Sequence, residues 1–191
     1  MQSNGINGMR VAIIVFDDFE QVEFTEPKKV LEQAGARVTV IAPKGGQVQG
    51  MNHDIKADPF PVDMTLDQAS PDDFEGLMLP GGAINADKLR MEPRAREFVQ
   101  KFDQSNRPIA AICHAPWVLI SSGITKGRTL TSYYTIQDDL RNSGSNWEDK
   151  EMVRDRNLVT SRSPQDLPAF NNAMVSLFSE YKQNKAATMT A

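Results

Sequence analysis

The run Val11-Ala12-Ile13-Ile14-Val15-Phe16 constrains the fold more than any other part of this chain. Six consecutive apolar residues do not alternate with polar ones, so the strand they form must be buried on both faces, as strands of a parallel sheet are. Joining it to a parallel neighbour takes a crossover. The spacing of Val22, Thr25, Val30, Leu31 and Ala34 predicts a helix for that crossover, stopping at Gly35, and Arg37-Val38-Thr39-Val40-Ile41-Ala42 predicts the second strand.

The alternation continues. Gly76-Leu77-Met78-Leu79 predicts a short strand that runs into Pro80-Gly81-Gly82, where backbone can approach a ligand closely. Residues 92–105 carry helical spacing at Ala95, Phe98, Val99 and Phe102, and Pro108-Ile109-Ala110-Ala111-Ile112 predicts the next strand, followed by a helix to about Ser122. Farther on come a strand at residues 128–131, a helix at 136–143, a hairpin over 147–161 turning near Asp155-Arg156-Asn157, and a final helix at 168–181. The polar, glycine-rich segment 43–58 reads as another hairpin. Strands alternating with helices in this way predict a doubly wound α/β sheet. One domain is expected over residues 9–181, between a flexible lead-in at 1–8 and a flexible tail at 182–191.

Composition excludes several function classes. The 191 residues are 40% hydrophobic, enough for one sizeable core, and the net charge is −4 with Lys and Arg scattered among acids, so nucleic acid is not an expected partner. No stretch approaches the roughly 18 apolar residues of a membrane span, and the first residues lack the charged and apolar regions of a signal peptide. One cysteine allows no internal disulfide. The expected location is cytoplasmic, with no membrane partner.

That single cysteine, Cys113, stands where strand gives way to helix, in Ala111-Ile112-Cys113-His114-Ala115. The pattern small-x-nucleophile-x-small is a cysteine form of the strand-turn-helix elbow that presents a serine in hydrolases. Backbone N–H groups and the dipole of the following helix would favour the thiolate. A buried structural thiol accounts for the elbow equally well. In doubly wound sheets ligands bind beyond the carboxyl ends of the strands, where strand order reverses. Cys113 and Gly81-Gly82 both directly follow strands, so they should share one edge, with the Gly82 and His114 N–H groups as a possible oxyanion hole. Two histidines, His53 and His114, and no cysteine cluster give no metal-ligand spacing, and no cofactor is expected.

Four segments together resemble the PfpI family of intracellular proteases, in the superfamily that also holds the parkinsonism-associated deglycase. They are Phe19-Glu20-Gln21-Val22-Glu23, Leu79-Pro80-Gly81-Gly82, Ala111-Ile112-Cys113-His114, and Thr160-Ser161-Arg162-Ser163-Pro164-Gln165-Asp166-Leu167, in family order. The resemblance implies a flavodoxin-like three-layer sandwich, also the fold of class I glutamine amidotransferases, with Cys113 as nucleophile and His114 beside it. It implies that Glu23 stays protonated next to the thiol and donates a hydrogen bond to the thiolate. In the protease branch an acid from a neighbouring subunit orients the histidine, and Asp87 resembles that residue, with a shorter side chain and after a one-residue insertion. A homodimer or larger homo-oligomer follows if Asp87 acts in that way. Ala115 stands where the family often has glycine, and its methyl group is expected to narrow the pocket. Amidotransferase chemistry is disfavoured, because its histidine comes late in the chain and neither His53 nor His114 does.

Three functions compete. The first is a PfpI-type cysteine hydrolase of the stress response, acting on peptides or small carbonyl adducts by thiolate attack. The second is a cofactor-independent glyoxalase or deglycase, in which Cys113 adds to methylglyoxal and Glu23 or His114 moves a proton. The third is not an enzyme but a redox sensor or holdase built on the same thiol.

Overall fold

The computed structural model describes residues 5–189. In chain order the elements are β1 (Arg10–Ile14), β2 (Phe19–Glu20), α1 (Gln21–Gln33), β3 (Arg37–Ala42), β4 (Gly46–Asn52), β5 (Ile55–Val62) and β6 (Met64–Thr65). Then follow β7 (Gly76–Leu79), α2 (Ala83–Leu89), α3 (Pro93–Gln104), β8 (Ile109–Ile112), α4 (Pro116–Ser121) and β9 (Thr129–Leu130). The chain closes with α5 (Gln137–Asn142), β10 (Asn146–Trp147), β11 (Met152–Asp155), β12 (Leu158–Ser161) and α6 (Leu167–Met189).

Seven strands form the central sheet in the order β11-β12-β8-β7-β1-β3-β6. All its pairings are parallel except that of β11 with β12. The unbroken apolar run in β1 has the expected cause. Val11, Ile13 and Val15 join a core with Phe24 and Leu31 of α1 and Phe170, Met174 and Phe178 of α6, while Ala12 and Ile14 join a second core with Phe98 and Phe102 of α3 and Val118 and Leu119 of α4. Helices therefore cover both faces, and the fold is the three-layer, flavodoxin-like sandwich expected. Strand order reverses between β1 and β7, because β1 leads to β3 on one side and the chain later returns to fill the other.

Several boundaries differ from the sequence reading. The hairpin of β4 and β5 extends to Val62, through Pro59 and Pro61, and β4 pairs with β2 in a separate three-stranded sheet. The strand expected at 128–131 shortens to β9, which pairs with β10 outside the central sheet. Of the expected lead-in, residues 1–4 lie outside the described residues, but Ile6 is fully buried in the α6-side core and the Gly8 N–H bonds to Gly35 O at 2.7 Å. Of the expected tail, residues 182–189 continue α6, tied down by Lys185 to Glu75 at 2.8 Å and by Lys182 to the Asn7 carbonyl; residues 190–191 lie outside the described residues. No described helix is long and apolar enough to cross a membrane.

Candidate active site

Three loops meet where the carboxyl ends of β1, β7 and β8 lie side by side. The elbow after β8 is held by hydrogen bonds from Cys113 N to Ser161 O at 3.0 Å and from Tyr133 N to Cys113 O at 2.9 Å. Within it Cys113 adopts φ +64°, a left-handed backbone that costs a non-glycine residue energy and is kept only where the surroundings enforce it. Pro116 then opens α4, where a missing N–H costs nothing.

The loop after β7 comes close to the thiol. A Cβ on Gly81 would meet a Glu23 carboxyl oxygen, Cys113 Cβ and the Ile112 carbonyl, and Gly82 has φ +94°, so this approach requires glycine at both positions. Asn85, fully buried in α2, holds the loop: its amide donates to the Pro80 and Gly81 carbonyls at 3.0 and 2.9 Å and accepts from Phe16 N at 2.7 Å. Removing that side chain in Asn85→Ala leaves buried partners unpaired and is expected to cost about 3 kcal/mol, read as a lower midpoint in urea denaturation.

Glu23, in the first turn of α1, is fully buried, and neither carboxyl oxygen has a partner in hydrogen-bonding geometry. Burial, with help from the charge of Glu20, pushes its pKa up from 4.5 to about 8, against smaller opposing effects of the Cys113 thiol and the Gly81 N–H. That rise corresponds to about 5 kcal/mol in favour of the neutral acid. The helix N-terminus offers about 1 kcal/mol to the carboxylate. Burial wins, so the neutral acid is the favoured form at neutral pH.

The thiol departs from expectation. Burial, joined by Glu23 once that acid ionises, pushes the Cys113 pKa well above its ordinary value, although the Gly82 and His114 backbone N–H groups aim at the sulfur and pull it down. The reason is a missing cation: His114 is itself kept neutral by burial, and α4 has only six residues. Cys113 and Glu23 are two acids in one dry space, so the first proton to leave suppresses the loss of the second.

His114 Nδ1 lies 3.2 Å from Cys113 Sγ, and its Nε2 lies 3.4 Å from Thr135 Oγ1. The ring stacks on Tyr133 at 4.8 Å and packs on Trp117 at 5.3 Å, while the Trp117 indole N–H donates to Asp139. A cavity of about 420 Å³ opens over these groups and brings together Cys113, His114, Glu23 and Gly82, while Gly81 packs against Glu23 and Cys113 without lining it. Asp87 is not part of it. That residue lies exposed inside α2, where it neither caps the helix nor reaches His114 of its own chain. Ala115 does not narrow the cavity either, since its methyl group is buried beneath the elbow in the α3-side core.

Sequence reasoning missed Asn85, Tyr133 and Thr135, which belong to no motif and reach the site only through the fold. It also missed the wall supplied by the tip of the β4–β5 hairpin, where Met51, His53 and Asp54 line the cavity. His53 is the turn residue at that tip, with φ +56° and Nδ1 at 3.8 Å from Glu20.

The chain has known relatives along nearly its whole length. It is 39% identical over 168 residues to a Bacillus subtilis protein named "Putative cysteine protease YraA", covering 88% of this chain and 97% of that one. It is 38% identical over 170 residues to the deglycase PfpI of Pyrococcus furiosus, covering 88% and 99%. The crystal structure of Drosophila melanogaster DJ-1beta superposes with a TM-score of 0.82 at 29% identity, over 96% of this chain and 98% of that one. The profile of the DJ-1/PfpI family matches residues 9–177, and with the thiol, the buried acid and the glycine loop converging as described, this chain belongs to that family.

Proposed function

We propose that the protein is a cofactor-independent, cysteine-dependent enzyme acting on α-oxoaldehydes such as methylglyoxal or on their adducts, in the glyoxalase and deglycase class. The observation that carries this reading is Glu23, a buried, unpartnered carboxyl at the thiol that titrates near pH 8. Such a group can take and return protons at neutral pH, which oxoaldehyde isomerisation requires. In this scheme the Cys113 sulfur bonds to the aldehyde carbon while the carbonyl oxygen gains a proton, giving a hemithioacetal. A base removes the hydrogen from that carbon and a proton returns to the adjacent carbonyl carbon, while the hydroxyl proton on the first oxygen is lost and the second oxygen gains one, leaving a thioester of the hydroxy acid. Water then cleaves the carbon–sulfur bond, releasing lactate and regenerating the thiol. Gly82 and His114 N–H groups would hold the oxygen on which charge develops. The relative named as a deglycase supports the reading.

A PfpI-type hydrolase is the second reading, favoured by His114 Nδ1 at 3.2 Å from the sulfur and by the relative named as a cysteine protease. It needs an acid on His114, and the hydroxyl of Thr135 occupies that place within one chain. Asp87 of a second copy would have to supply it. The sensor reading draws on the same thiolate for its reaction with peroxide and has no observation of its own in its favour. A single domain over residues 9–181 and a cytoplasmic location, which rest on length and cysteine content, accompany this proposal, as do a stress-response role and homo-oligomerisation, which rest on the resemblance.

Glu23→Gln keeps the shape and removes the acid. Lactate formation from methylglyoxal, with no added thiol, is expected to fall about a hundredfold or more; unchanged formation would take Glu23 out of the mechanism and return the hydrolase to first place. The same variant has a stability signature. Between pH 4.5 and about 8 the carboxyl is protonated in the folded protein and ionised in the unfolded chain, so the folded state binds more protons and stability falls as pH rises. The melting temperature of Glu23→Gln should therefore gain on the wild type as the buffer moves from acid towards pH 8.

A further inference from the structure

The walls of the cavity over Cys113 have one sign of charge. Asp18, Glu20 and Asp54 line it above the neutral acid Glu23, and no Lys or Arg does. None of these four carboxyl groups takes part in an ion pair with a Lys or Arg among the described residues; Glu20 faces only His53, at 3.8 Å. The cations nearby are committed or turned away. Arg162, two residues before the lining Pro164, is held by Asp149 and Asp166, and Lys56, opposite Met51 in the hairpin, is exposed and does not line the cavity. His114 is neutral. At the bottom of the same space lies Glu23, fully buried, with both oxygens unpartnered, so the acidic rim leads to a polar group that lacks a complement.

A cleft lined by one sign of charge between low-dielectric walls concentrates the opposite charge and excludes its own, by roughly 10- to 1,000-fold in encounter rate. We propose that this mouth selects carbonyl substrates that carry a positive charge, an ammonium or guanidinium, and rejects those that carry a carboxylate or phosphate. Asp18 and Asp54 act as specificity residues at the rim, and the reacting carbonyl passes between them to Cys113. The inference rests on Cys113 being the group that meets the carbonyl.

Since Cys113 is the only cysteine, its reaction rate measures the field at the site without reference to turnover. Three methanethiosulfonates of similar reactivity serve as probes: trimethylammonioethyl (cationic), methyl (neutral) and sulfonatoethyl (anionic). In each reaction a disulfide forms between Cys113 and the reagent's alkylthio sulfur, the sulfur–sulfonyl bond breaks and methanesulfinate leaves. The cationic-to-anionic rate ratio, divided by the same ratio for a small free thiol, is expected to exceed about 10 at low salt and to fall towards 1 at about 1 M salt.

In the double variant Asp18→Asn/Asp54→Asn the ratio should drop at least about fivefold while the neutral reagent reacts at the wild-type rate. Asparagine accepts the φ +67° of Asp18, and residue 54 is exposed, so neither change disturbs the fold. A normalised ratio near 1 in the wild type, an unchanged ratio in the variant, or a thiol closed to the neutral reagent would each overturn the proposal. Absence of lactate formation alongside a strong cationic preference would instead remove the glyoxalase reading and leave the charge selection standing.

Discussion

Cys113→Ser is expected to lower lactate formation from methylglyoxal by about a thousandfold or more, with a melting temperature within about 2 °C of the wild type. Oxygen replaces sulfur in the same elbow, at the same φ of +64°, so the fold has no reason to respond. The chemistry does. A seryl hydroxyl holds its proton far more firmly than a thiol, and this site already opposes negative charge on the side chain, with burial and Glu23 on one side and only two backbone N–H groups on the other. His114, the adjacent base, is neutral and lacks a carboxylate behind it, so it cannot drive a hydroxyl as a triad would. The check is a lactate assay on purified protein with no added thiol; a variant retaining a tenth of wild-type turnover would show that the thiol is not the reacting group.

Gly81→Ala should be nearly as damaging, and for a reason of space. The new methyl group would lie 2.5 Å from Cys113 Cβ and 3.0 Å from the Ile112 carbonyl, and against a Glu23 oxygen. Two of these neighbours belong to the elbow and the strand beneath it, and the third is fully buried, so none can swing aside. Overpacking of this kind costs about 1–3 kcal/mol, and here it would separate the acid from the thiol, for an expected loss of about a hundredfold in kcat/KM. Gly45→Ala is the matched control, since its methyl group would meet only Thr65 Cγ2 at an ordinary 3.7 Å. Equal turnover in the two variants would show that the Gly81 approach does not matter to the reaction.

The central sheet was legible because its strands are pure signals. Residues 11–14 and Ile109–Ile112 are apolar without interruption, which only a doubly covered sheet explains, and the residues that follow such strands must fall on one edge. The sequence alone therefore puts Cys113 and Gly81-Gly82 together. Other features gave no such signal. Pro59 and Pro61 read as breakers, yet β5 accepts them because it lies at the edge of its small sheet. The last turns of α6 bury little and so show no periodicity, although alanine and lysine there favour helix and Lys185 anchors it. Thiol acidity was misjudged because a helix N-terminus is visible in a sequence and the dryness of a cavity is not. Asn85, Tyr133 and Thr135 illustrate the same limit: each acts through a partner distant in the chain, such as Phe16 for Asn85 and His114 for Thr135.

The anchoring of α6 also gives the molecule a polarity. Lys182 grips the Asn7 carbonyl and Lys185 grips Glu75, and both contacts lie just ahead of β1 and β7, at the amino ends of parallel strands. The thiol lies beyond the carboxyl ends of the same strands. The first and last described residues thus gather at one pole and the chemistry at the other, with the full length of the sheet between them. A peptide tag, a surface tether or a second domain joined beyond the first or last described residue would load the pole opposite the thiol, leaving the mouth facing open solution.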